Sequence, residues 1–319
     1  MRPFFENNVL QQQPFKPMII VVDTTKAGSA SNTFVLPIVK AASETVKIYW
    51  GDGTNSTGVN GNNTHVYAAS GVYTVKIESK IFGGLYFNNG GDKAKITKIA
   101  NYGQGVSRLN IGSFYGCSSL LSIDIGNIVS NGADASNQFR VCTALTTVPL
   151  LNLSSVTNAA NMFAYCTTLT TVPLFNLSSL TNAYTMFYEC TSLTTVPLFD
   201  LSKVTDASYM FYLCTSLTTV PLFNLSNCTS MHSMFRQCTA LTTVPLLNLS
   251  KVTNATSMFL GVTLTTQSYS NFLINLATQP LQSGVSFHGG NSKYNLTAAI
   301  ARAYLISNFG WTITDGGAA

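Results

Sequence analysis

Cys142-Thr-Ala-Leu-Thr-Thr-Val-Pro-Leu-Leu-Asn-Leu-Ser-Ser-Val-Thr-Asn-Ala-Ala-Asn-Met-Phe-Ala-Tyr165 is one of five near-copies of a 24-residue phrase, the others beginning at Cys166, Cys190, Cys214 and Cys238. A constant period of this size predicts a solenoid: one unit cannot bury its apolar face alone, so copies stack and share a continuous core. Within the phrase, Leu145, Val148, Leu150 and Leu153 have the Leu-x-x-Leu-x-Leu spacing of a leucine-rich repeat. Strand alternation sends Val148 and Leu150 inward and leaves Pro149 outside. The second half, Val156 to Phe163, is expected to form one helical turn whose Met162 and Phe163 plug the core.

Working outward, Phe-Tyr-Gly-Cys117-Ser-Ser-Leu marks a degenerate first rung, and the period ends near residue 265. Residues 1–17 are polar and contain Gln11 to Gln13, which suits an extended arm or a tail. Residues 18–100 carry short β-branched runs (Met18 to Asp23, Phe34 to Pro37, Val46 to Trp50, His65 to Tyr67, Val72 to Ile77) punctuated by Gly and Asn, as in a β-sandwich. Residues 266–319 break the period. Leu296 to Ile306 is helical by composition, with Asn295 as its cap, and Gly310 to Thr314 reads as a strand. Trp311 and Phe309 would close the exposed end of the core. The expected class is therefore mainly β: a sandwich over 18–100, a repeat solenoid over 101–265 and an α/β cap over 266–319, behind an arm at 1–17.

Composition narrows function. Of 319 residues 46% are hydrophobic and only 9% charged, against a usual charged share of about 25%. The surface must then be carried by Thr, Ser and Asn, as in secreted and virion proteins. The net charge of +5 is dispersed without a Lys/Arg cluster, which argues against nucleic acid. No run of 18 apolar residues exists, so no membrane insertion is expected. The opening Met-Arg-Pro-Phe-Phe-Glu lacks the apolar core of an export signal, which fits release by lysis.

No catalytic, cofactor or metal site can be assembled. His65, His232 and His288 lie far apart, and there is no Cys-x-x-Cys pair. Five of the seven cysteines recur once per copy, which reads as a buried packing register, although neighbouring sulfurs could also form disulfides. Asn152-Leu-Ser154 and its equivalents match a glycosylation sequon, but an Asn in each rung also suits a hydrogen bond to the turn of the next. The paired threonines (Thr146-Thr147 and equivalents) are adjacent, not two apart, which argues against a flat ice-binding strand. One candidate surface remains. Phe175, Phe199 and Phe223, flanked by Leu151 and Leu247, follow the inward leucine, so alternation points them outward as an assembly or receptor stripe. If the strand ends first, the same residues turn back into the core.

Two resemblances sharpen this reading. Trp50-Gly51-Asp52-Gly53-Thr54, His65-Val66-Tyr67 and Gly71-Val72-Tyr73-Thr-Val-Lys-Ile77 resemble, in order, the motifs of the polycystic-kidney-disease (PKD) type of immunoglobulin-like sandwich. That family is a spacer and adhesion module without catalytic residues, which implies that Asp52 orders its turn. The five copies, with Val-Thr-Asn, Met-Phe and Cys-Thr-x-Leu, resemble the BspA-like leucine-rich repeat of bacterial surface adhesins. The same repeat joined to a Trp-Gly-Asp-Gly sandwich, and the run Asp23 to Pro37, resemble phage tail or fibre proteins. The resemblance implies a non-enzymatic virion protein, present in several copies or as a homo-oligomer. It would be anchored to other virion proteins by its N-terminal part and would contact a host-surface glycan or protein. An exported bacterial adhesin is the alternative.

Overall fold

The computed structural model describes residues 16–79, 83–102, 113–124 and 133–319. The proposed arm, apart from its last two residues, lies outside them. The protein is mainly β. The N-terminal part forms two sheets from β1 (Met18–Asp23), β2 (Thr33–Val39), β3 (Val46–Tyr49), β4 (Asn55–Gly58), β5 (Gly61–Val66), β6 (Val72–Glu78), β7 (Gly84–Leu85), β8 (Ile96–Tyr102) and β9 (Ser122–Ile123). The larger sheet has the order β4-β3-β6-β1-β8-β9 and the smaller β5-β2-β7. Alternation works here as expected: Met18, Ile20 and Val22 of β1, and Phe34, Leu36 and Ile38 of β2, are buried. Gly58 marks how closely the sheets approach, since a Cβ there would sit 3.0 Å from Ile38 Cδ1 and 3.2 Å from Ile48 Cδ1.

The Trp-Gly-Asp-Gly turn is a packed corner. Asp52 Oδ1 accepts from the Thr54 amide (2.9 Å) and hydroxyl (2.6 Å), and Asp52 Oδ2 lies 2.7 Å from His65 Nε2. The His65 ring stacks on Trp50 at 4.8 Å, and Tyr67 donates its hydroxyl to the Trp50 carbonyl. Burial works against the Asp52 carboxylate, but the hydrogen bonds from Thr54 and His65 outweigh it and hold the pKa at about 2. A second anchor was not visible in the sequence. Lys95, fully buried, donates to the carbonyls of Ser29, Ala30 and Thr33, and lies 3.6 Å from buried Asp92, which accepts from the amides of Ser29 and Val35.

The 24-residue copies stack in register. Ala159, Asn161, Phe163 and Tyr165 donate their amides to Asn182, Tyr184, Met186 and Tyr188 one copy on, and Thr170 donates back to Thr146. Parallel bridges join Asp134, Asn158, Asn182, Asp206, Ser230 and Asn254. The expected helical turn does not form. Amides of Met162, Ala164 and Cys166 close successive three-residue turns on Ala159, Asn161 and Phe163, and Asn161 and Tyr165 sit between them at φ 58° and 63°. A left-handed residue interrupts right-handed helix. The plug is nevertheless real, because Met162 and Phe163 and their equivalents are fully buried.

A column of phenylalanines runs through the core: Phe87, Phe114, Phe139, Phe163, Phe187, Phe211, Phe235 and Phe259, with neighbouring rings 5.5 to 6.4 Å apart. It begins at Phe87, inside the stretch assigned to the N-terminal sheets, and β8 pairs with β9 beside the first rung. At the other end β10 (Ser286–His288) takes the place of the next copy: Phe259 donates its amide to His288, and Ala255 bridges to Phe287. Two helices flank it, α1 (Thr266–Leu276) and α2 (Leu296–Phe309), the second capped by Asn295 as expected. β11 (Thr312–Thr314) pairs with β10. Trp311 is buried against Phe287 at 6.1 Å, whereas Phe309 is only half-buried and meets Tyr304.

Candidate functional site

The phenylalanine stripe is not on the surface. Phe175, Phe199 and Phe223 are each 1% exposed and stack on one another and on the main column. The leucines expected inside are outside instead: Leu150, Leu174, Leu198 and Leu222 are 57 to 62% exposed. The cause is local. The Phe199 amide donates to the Pro197 carbonyl at 2.9 Å, and Phe223 and Leu247 repeat this on Pro221 and Pro245. That bond closes a γ-turn centred on the leucine, which ends the strand alternation and turns the next side chain into the core.

The asparagine ladder also behaves differently from expectation. Asn152, Asn176, Asp200, Asn224 and Asn248 accept from the amide two residues on in their own rung, not from the next rung. Asn158, Asn182, Asp206 and Asn254 do the same. Those bonds shape each rung, whereas threonine hydroxyls bonded one rung back, such as Thr181 to Thr157 and Thr205 to Thr181, join neighbouring rungs.

Much of what distinguishes one copy from another lies around Met-Phe, although Ser155, Ser179, Lys203, Asn227 and Lys251 also differ. The Thr-Thr-Val-Pro-Leu segment is identical in all five copies. By contrast, the positions on either side of Met-Phe read Ala160, Tyr184, Ser208, His232 and Thr256; Asn161, Thr185, Tyr209, Ser233 and Ser257; Ala164, Tyr188, Tyr212, Arg236 and Leu260. The fold sets the backbone at these places and leaves the side chains free. They form a continuous aromatic face. Tyr165 packs on Tyr188 at 5.2 Å, and Tyr188 stacks on Tyr212 at 4.7 Å. Tyr209 bridges Tyr184, Tyr212 and His232, its hydroxyl 2.7 Å from His232 Nε2. Arginines bound the column: Arg140 lies over Tyr115 and Tyr165, and Arg236 over Tyr212, each 5.1 to 5.6 Å from the ring centre. Burial, with Tyr165 and Glu189 beside it, pushes the Tyr188 phenol up, so it stays a neutral donor.

This face offers flat rings, hydroxyls and two guanidiniums, which suits contact without covalent chemistry. The residues with chemical reactivity lie elsewhere: all seven cysteines are free thiols and buried. Each Sγ of the ladder donates to a carbonyl of an earlier rung, for example Cys190 to Phe163 at 3.2 Å and Cys214 to Phe187 at 3.1 Å. Burial raises the Cys166 and Cys238 thiols to about 12. Among the described residues no three His, Cys, Asp or Glu side chains converge as metal ligands, and no helix is long and apolar enough to cross a membrane. Sequence reading did not single out these tyrosines. The signal that could have located them is the disagreement among otherwise uniform copies.

The chain is similar to a family described as "Mycoplasma protein of unknown function, DUF285", matched over residues 133–244 and 193–283. These stretches take in the repeats and the start of the cap. No curated protein and no solved structure matches the chain.

Proposed function

We propose that this is a non-enzymatic structural protein of a phage virion, a fibre, tail or capsid-attached component that contacts the host surface. In this reading the two N-terminal sheets are a PKD-like sandwich and the stacked copies a BspA-like leucine-rich-repeat solenoid, closed by the C-terminal unit. The N-terminal part anchors the chain to other virion proteins, and the stack presents the tyrosine face to a glycan or protein on the cell. The observation that carries it is that tyrosines from successive copies, at positions that differ from copy to copy, stack into one aromatic, sparsely charged face. Such a face supplies contact area and hydrogen bonds with little charge to desolvate.

Antibody raised against the chain should label particles that sediment with phage DNA in a lysate of the strain carrying the gene. Label confined to the surface of intact cells would favour an exported adhesin instead. For attachment itself, a Tyr188→Ala, Tyr209→Ala, Tyr212→Ala variant should keep its fold and lose at least about tenfold in binding to intact host cells, since each buried tyrosine contact contributes on the order of 1 kcal/mol or more. A folded variant that binds as well as the native chain would remove this face from the proposal.

A further inference from the structure

The tyrosine face leaves a periodic apolar surface unaccounted for. Leu150, Leu174, Leu198 and Leu222 are 57 to 62% exposed and Leu246 47%, one leucine on each rung. Each follows a half-exposed proline, and the segment Thr-Thr-Val-Pro-Leu carries no charge in any copy. A γ-turn needs no apolar side chain at its centre, yet all five copies keep leucine there. A row of exposed leucines in water is unfavourable and marks a covered surface.

We infer that this stripe is the contact between two copies of the chain, laid stripe against stripe. Period and area select the occupant. The rungs hold a fixed interval, shown by Phe175, Phe199 and Phe223 directly behind the leucines at 6.0 and 6.3 Å. A partner that fills every gap must present apolar groups at the same interval, and a second copy does so by construction. Each leucine leaves on the order of 100 Å² in solvent, so two facing stripes bury about 1,000 Å² before the prolines are added, the size at which specific interfaces begin. A two-fold axis at the middle of the stripe sets Leu198 against the partner's Leu198. The lack of charge in the segment removes like-charge repulsion between identical faces. At one end α1 stands beside the stripe, and Leu246, Thr265, Gln267 and Asn271 line a shallow groove of about 360 Å³. This fixed end keeps a periodic contact from slipping by one rung.

The pairing is independent of what the tyrosine face binds, and it is tested on the full chain. Light scattering should return twice the 34.3 kDa monomer mass over a wide range of concentration. Leu198→Glu brings two carboxylates together at the axis and should weaken pairing roughly hundredfold. Its circular dichroism should be unchanged, because the side chain is outside the core, and any fall in melting temperature should match the loss of pairing; Leu222→Glu serves as a second variant. Leu198→Cys should form a disulfide-linked dimer under mild oxidation, and the seven native thiols, being buried, should not contribute. A native chain that stays monomeric at high concentration overturns the inference. So does a folded Leu198→Glu and Leu222→Glu pair of variants that both still dimerise.

Discussion

Gln138 occupies the place in the first rung that Met162, Met186, Met210, Met234 and Met258 occupy in the next five. It is fully buried, and neither its Nε2 nor its Oε1 has a hydrogen-bond partner. Its backbone is nonetheless that of the methionine copies: the Gln138 amide donates to Ala135 as Met162 donates to Ala159, and its carbonyl accepts from Phe114 as that of Met162 accepts from Phe139. Gln138→Met therefore changes only the side chain, for one of similar length. An amide buried without partners costs roughly 1–3 kcal/mol, and methionine removes that penalty while continuing the sulfur column. The variant should be more stable by about that amount. A urea titration should show a higher midpoint at an unchanged slope, and calorimetry a melting temperature higher by a few degrees. Stacked repeats can open from an end, so hydrogen exchange at Phe114 and Phe139 is the more direct reading and should slow. Equal or lower stability would show that the amide is satisfied in solution and that the account of this rung is wrong.

Val141, β-branched, is held at φ 61°, and Val141→Asn should stabilise by roughly 1 kcal/mol in chemical denaturation because Asn tolerates the left-handed region. Lys95→Met should destabilise by roughly 3–5 kcal/mol in the same assay, since it removes the buried partner of Asp92 and the donor to three carbonyls; a near-neutral result would show that this anchor does not hold the sheets. The Asp52 carboxyl, held at about 2 by its hydrogen bonds against an unfolded value near 3.9, contributes stability that is complete above about pH 4 and is lost as the pH falls through about 2. A carboxyl titration followed by NMR with a midpoint near 4 would contradict that corner geometry.

The period made the stack and its buried Cys, Met and Phe columns legible, because identical spacing leaves one way to share a core. Alternation was legible wherever a strand is real: the buried and exposed sides of β1 and β2 follow it residue by residue. It failed at Leu198 and Phe199 and their equivalents, since a proline followed by a γ-turn reverses two side chains without any change of hydrophobicity. Helix α1 went unread; it carries no charge pattern and its cap, Thr265, sits among many other threonines. The Asp92–Lys95 anchor was invisible for a different reason. Its partners, Ser29 to Val35, lie about sixty residues away in the chain, and nothing local announces them. Of the candidate site little was legible, because the tyrosines occupy different positions in different copies and only the stacking of the copies brings them together.

Every interior copy receives hydrogen bonds from the copy before it and passes the same set to the copy after it, at the same atoms. Loss or gain of a single 24-residue block, such as Cys190 to Leu213, would thus leave both neighbours facing a surface they already fit. Such a change would alter the reach of the molecule in steps of one rung, and the side chains presented on its tyrosine side, without requiring a new fold at any step.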